Sequence, residues 1–194
     1  AEPTALSAHE IYDRSINIFT HPHMSFVVDS ETLYAGEVSE KRSFFAATKE
    51  EAGNKSSVLI RFMAPQDIKC TSVLINKEAE KVNRYVYFPS LKRVRVIPDS
   101  DRQKEVMGMG ISFEEMSSPE GSFAPIETVE LNGETLLKLA LINEYKTTLF
   151  WIKPESLDVR QIEVYENDVL QKQVLVTDVR NVYGENVVFA WTIK

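Results

Sequence analysis

From Met24 to the C-terminus apolar residues recur at every second position in short runs, the mark of half-buried β-strands. Phe26 and Val28 alternate with Ser25 and Val27, and Val58, Ile60 and Phe62 with Leu59, Arg61 and Met63. Tyr85-Val86-Tyr87-Phe88 leads into Phe88-Pro89-Ser90-Leu91, which suits a type I turn with proline second. Arg93-Val94-Arg95-Val96 then returns, arginines on one face and valines on the other, completing a hairpin. Further strands are expected near 124–131, 135–143, 146–152, 157–166, 169–178 and 186–193. Asn132-Gly133 is a strong hairpin turn between two of them, with Asn167-Asp168 and Gly184-Glu185 as further ones.

One helix precedes the strands. Ser7 and Glu10 have the spacing of a capping box, Leu6 and Ile11 hold the staple positions, and Ala8, Ile11, Tyr12, Ser15, Ile16 and Phe19 mark one face. His21-Pro22-His23 is expected to stop it. Segment 99–120 differs in kind: Asp99-Ser100-Asp101, two glycines and three methionines, with a second capping-box spacing from Ser112 to Glu115. The pattern predicts a helix and then an antiparallel meander of ten or eleven strands, interrupted by this insertion, in a single domain over 1–194. A twisted sheet of that size must curl, and its apolar faces need covering by the helix, the insertion or a ligand.

Composition narrows the function. A net charge of −7 and a pI near 5.1 argue against nucleic-acid binding. The richest apolar run, LLKLALI at 136–142, is far too short to span a membrane. The small residues around Ala1 suit a signal-peptidase site, so an exported chain with its signal peptide removed is expected. Cys70 reads as a small apolar strand residue. Gly108-Met109-Gly110 lacks the third glycine of a dinucleotide loop, and Gly110-Ile111-Ser112-Phe113-Glu114 fails as a nucleophile elbow at its second glycine. Asp99-Ser100-Asp101 is a polar turn sooner than a calcium loop, because Gln103 and Lys104 occupy the next ligand places. His21 and His23 lack a nearby third ligand, and neither Glu50-Glu51 nor Glu114-Glu115 is marked as an acid/base pair. No enzyme, metal or cofactor is expected.

Two features remain. Segment 84–104 carries a net +4 against −11 for the rest of the chain, so Lys92, Arg93 and Arg95 form either a solvated strand face or a docking rim for an anionic partner. Met107, Met109 and Met116 with Phe113 gather adaptable apolar side chains in the one long irregular segment, which suits a lid as well as it suits core filling.

The run VLIRFMAPQDIKCTSVLI followed by YVYFPSLKRVRVIPDSDRQKEVMGMGISFEEM resembles the outer-membrane lipoprotein-sorting family with the LolA/LolB-like fold. The marks are a strand ending in x-x-Pro-x-Asp, an aromatic-Pro-x-Leu-Lys-Arg-Val-Arg hairpin, a Ser-Asp-Arg turn and a Met-Gly segment entering Phe-Glu-Glu. The later TTLFWIKPESLDVRQIEVYENDVLQKQVLVTDV is similar to that family's strand-Asp/Lys-Pro-strand-hairpin pattern. Cys70 stands where glycine is usual, and Gly110 where an aspartate commonly precedes the aromatic.

The resemblance implies an unclosed, strongly curved antiparallel half-barrel with helices over its concave face, acting as a non-enzymatic periplasmic carrier or chaperone for lipoprotein acyl chains or lipid. By parity, Phe26, Val28, Ile60, Phe62, Val94, Val96, Leu139, Trp151 and Trp191 are expected to line the cavity. Met107, Met109, Phe113 and Met116 are expected to form the lid. An inner-membrane transporter or outer-membrane acceptor would be the partner of a monomer. The alternative is a protein-interaction accessory of an envelope transporter, docking by its sheet edge or basic hairpin.

Overall fold

The computed structural model describes residues 6–79, 81–117 and 120–194. The expectation about Ala1 lies outside them, as do Ser118 and Pro119 of the insertion. Packing divides the chain into two compact units: the N-terminal segment through His21 together with the residues from Glu120 to Lys194, and the stretch from Pro22 through the insertion.

The second of these units is a six-stranded antiparallel meander. It runs through β1 (Ser25–Tyr34), β2 (Glu37–Glu51), β3 (Lys55–Ala64), β4 (Ser72–Glu78), β5 (Lys81–Phe88) and β6 (Arg93–Ile97), paired in chain order. One face alternates inward: Phe44, Ala46, Ile60, Phe62, Val73, Ile75 and Val86 are buried together. Phe62 and Val73 are fully shielded, each contributing about 1.5–3 kcal/mol by leaving water. The type I turn forms as expected, Leu91 donating from its backbone N–H to Phe88 O, and Lys92 closes the hairpin in the left-handed region.

The other unit carries the helix and the remaining strands. These are β7 (Ser122–Phe123), β8 (Glu127–Leu131), β9 (Glu134–Ile142), β10 (Lys146–Ile152), β11 (Val159–Glu166), β12 (Val169–Val182) and β13 (Glu185–Ile193). The sheet order is β13-β12-β11-β10-β9-β7, with β8 also on β9. Asn132-Gly133 and Asn167-Asp168 take positive φ as hairpin turns require. The last turn falls at Tyr183-Gly184, one residue earlier than expected, and β12 runs on to meet it.

Helix α1 (Ala8–Ile16) has both bonds of its capping box. It ends a turn before His21-Pro22-His23: Phe19 donates to Ile16 O in a tightened last turn, and Asn17 beside two β-branched isoleucines favours helix poorly. Its Ile11, with Ile18 beyond it, buries against Leu139, Leu141, Phe150, Ile152 and Val159. Tyr12 stacks on Phe123 and meets Phe150 edge-on. Burial of its ring pushes the Tyr12 phenol well above its ordinary range. The expected ten or eleven strands are thus thirteen, in two sheets rather than one, with a single α-helix among the described residues. No described helix is long and apolar enough to cross a membrane.

Candidate functional site

The site of interest lies where the insertion covers the apolar face of the first sheet. Val106 and Phe113 are buried in the same cluster as Phe62 and Val73, and Met107, Met109 and Met116 pack around them. The insertion is built of turns, with one 3-10 turn at Asp99–Asp101 and a lone bridge between Glu105 and Ser112. The helical lid expected there is therefore corrected. The second capping box does form, Ser112 N–H donating to Glu115 and Glu115 N–H to Ser112 Oγ, but only a turn follows it. Met107, Gly108 and Gly110 all sit at positive φ, which breaks any helix before the box begins.

Polar side chains fasten this cover around Asp99. Arg84 rises from β5, only 6% exposed, and pairs with Asp99 at 3.1 Å while donating to Ser117 Oγ at 3.4 Å. Arg102 clasps the other Asp99 oxygen at 2.7 Å and reaches buried Glu114 at 3.6 Å. The Arg102 guanidinium first, then Arg84, hold the Asp99 carboxyl below the usual aspartate range. This accounts for Asp99-Ser100-Asp101 as a fastening, with Asp101 paired to Lys104. Arg42 on β2 packs against the cover, its guanidinium so close to Gly108 that a β-carbon there would collide with it. Arg42 also pairs with Glu40 at 2.6 Å.

The expected cavity residues separate into three groups. Phe26, Val28, Ile60 and Phe62 meet the expected lid residues Met107, Met109, Phe113 and Met116 in one apolar cluster. Leu139 and Trp191 belong to the other unit, Leu139 under α1 and Trp191 edge-on to Phe19. Val94, Val96 and Trp151 face the wrong way and are corrected. In an antiparallel ladder paired residues share a face. Val94 and Val96 pair with Tyr87 and Tyr85, whereas Arg93 and Arg95 pair with Phe88 and Val86 of the core side. The valines are accordingly 63% and 62% exposed. Alternation of charge and valine suggests valines inward, but pairing with β5 sets the opposite parity. Ile97, the next residue of core parity, is the one packed on the cluster.

Trp151 lies on the face of β10 away from Phe150, its indole N–H donating to Glu163 at 3.3 Å. Glu163 is buried there and also accepts from Gln161, Gln173 and Tyr165. That bond from Tyr165 raises its phenol pKa.

Sequence reading missed Phe44 and Ala46, since Phe-Phe-Ala-Ala offers apolar residues at both parities. It also missed Arg84, whose signal is one charge at the parity of Val82 and Val86. Cys70, expected in a strand, occupies the turn after β3 at φ 66° and its Sγ accepts from Arg61. Left-handed backbone at that position is the physical reason a glycine suits it.

Residues 54–194 match the profile of a family described only as "-like: Uncharacterized protein", and the chain belongs to that family. No curated protein matches it in sequence. Among solved structures, a DUF1329 family protein from Desulfovibrio piger superposes with TM-score 0.77 at 17% identity, covering 96% of this chain and 84% of that one. An outer membrane lipoprotein-sorting protein domain from Vibrio parahaemolyticus gives 0.78 at 19% identity, over 96% and 82%. A LolA superfamily protein from Nitrosomonas europaea gives 0.75 at 14%, over 98% and 86%. The chain has a LolA-like fold: mainly antiparallel β and unclosed, with one α-helix among the described residues.

Proposed function

We propose that this protein is a non-enzymatic carrier or chaperone that holds acyl chains of lipoproteins or lipids between the first sheet and its insertion. The observation that carries this reading is the nature of the cover. Methionines and a phenylalanine in turns, with left-handed residues among them, close an apolar sheet face that regular structure would close more firmly. The LolA-like fold supports the same reading. An acyl chain would take the space now filled by Val106, Met107, Met109, Phe113 and Met116, against walls formed by Phe26, Val28, Ile60 and Phe62. Transfer of a fourteen-carbon chain offers roughly 10 kcal/mol at about 0.8 kcal/mol per CH₂, enough to offset lifting the cover. The chain works as one functional domain with 99–120 as its lid, a monomer in the periplasm that receives cargo from an inner-membrane transporter or yields it to an outer-membrane acceptor.

Native mass spectrometry of gently purified protein is the direct test, joined to uptake of a fluorescent fatty acid. Co-purifying lipid, with uptake weakened at least tenfold in a Met109→Ala, Phe113→Ala double variant, is the expected result. If the wild-type chain neither co-purifies with lipid nor takes up the fatty acid, the proposal is wrong.

A further inference from the structure

Strand β6 ends the first sheet: Arg93–Ile97 pair with β5 on one side, and no other backbone partner is recorded for them among the described residues. Both faces of this edge are unfinished. On the core side Arg93 and Arg95 are exposed, and among the described residues neither they nor Lys92 has an ion pair or side-chain hydrogen bond. On the outer side an apolar row crosses the sheet through Leu59, Leu74 and Tyr85 and stops at Val96, with Tyr87 and Val94 beside it. Edge charges ordinarily deter pairing. Here they deter one kind of partner only. A second copy of β6, set antiparallel with valine faces together, would place arginine against arginine, which is unfavourable. An acidic strand would meet the reverse situation.

We infer that β6 is a strand-addition site for an acidic extended segment of a partner protein, with carboxylates at alternate positions and apolar residues between them. The added strand would continue the ladder, set its carboxylates beside Arg93 and Arg95, and extend the apolar row beyond Val94 and Val96. Five edge residues at about 3.4 Å each give roughly 17 Å of pairing, a short and reversible contact. The rest of the chain is strongly acidic, so this edge is where an anionic segment is attracted. The site gives the docking rim a partner chemistry and does not depend on lipid being carried.

The test is fluorescence anisotropy of the intact chain with a labelled peptide of alternating valine and glutamate. Three comparison peptides are used: a scrambled version, and two versions N-methylated at odd or at even positions. The alternating peptide is expected to bind at least tenfold more tightly than the scrambled one. One methylated set should bind normally and the other should fail, because only one set of amides faces the edge. Arg93→Glu with Arg95→Glu should lower affinity more than tenfold, and Val94→Thr with Val96→Thr severalfold, with melting temperature and fatty-acid uptake retained. Equal binding of the scrambled peptide, or of both methylated peptides, overturns strand addition in favour of bare charge attraction. No peptide binding, with Arg93-dependent flotation on phosphatidylglycerol vesicles, would assign the edge to a membrane surface instead. A concentration-dependent dimer in sedimentation, lost in the double arginine variant, would assign it to a second copy.

Discussion

Under α1, the second sheet meets Ile11, Tyr12 and Ile18 on a capped helix and a buried residue after it; the first sheet meets Val106, Phe113 and three methionines on a chain of turns. Both covers open on or contain a Ser-x-x-Glu box with its bonds made, yet only one box is followed by a helix. The difference lies in what surrounds the box. Around Ser7 there is an uninterrupted amphipathic run, whereas Ser112 follows three residues at positive φ. A helix with branched side chains locks a core, because few rotamers fit. Unbranched methionines on irregular backbone fill the same kind of space with many alternatives. The insertion buries Val106 and Phe113 and adds the polar fastening Arg84–Asp99–Arg102. That contrast is the ground on which the lipid site is proposed under the insertion, with the α1 face as a stabilising core.

The contrast can be broken in stages. The largest effect is expected at Leu139: its truncation to alanine should cost about 3 kcal/mol in urea denaturation, against about 1 kcal/mol for Met109→Ala. Equal costs would mean that the insertion is core and not lid. Next come the two boxes. Ser7→Ala should destabilise by about 1 kcal/mol, because α1 loses its cap, while Ser112→Ala should cost no more than a few tenths. Cys70→Gly comes third, with a gain of about 0.5 kcal/mol as the left-handed position is relieved. A loss there would show that the Arg61 contact outweighs the backbone strain.

The smallest effect concerns acid. The folded Asp99 carboxyl titrates below its ordinary value, so its contribution is complete above about pH 3.9 and is lost as pH falls through the folded value. Hydrogen exchange over 98–117, corrected for intrinsic rates, should stay slow at pH 5 and quicken below about pH 4. Asp99→Asn should flatten that response. Glu10 in α1 is depressed likewise by its bond from the Ser7 backbone, so the helix keeps its own acid response in that variant. If Asp99→Asn left the insertion's response unchanged, the fastening would not be at Asp99.

Much of the fold was legible where residues had one reading. Period-two runs, Asn132-Gly133 and the Ser7 box each specify a local geometry that no alternative contact overrides. Legibility failed where a choice depended on partners distant in sequence. Arg93-Val94-Arg95-Val96 declares its alternation but not its side, and the side was decided by pairing with Val86 and Phe88. The same holds for Trp151, whose face follows from Glu163 across the ladder. The apolar gathering of the insertion could be read directly; its fastenings could not, since Arg84 and Asp99 meet only through the hairpin between them.

Photo-crosslinking with a diazirine-bearing fatty acid, followed by mapping of the labelled residues, tests the central claim most directly. Labels at Phe62, Val73 and Met109, lost in competition with unlabelled fatty acid, are the predicted result. Specific labels confined to the α1-covered face at Leu139 and Trp191, with none on the first sheet, would contradict it.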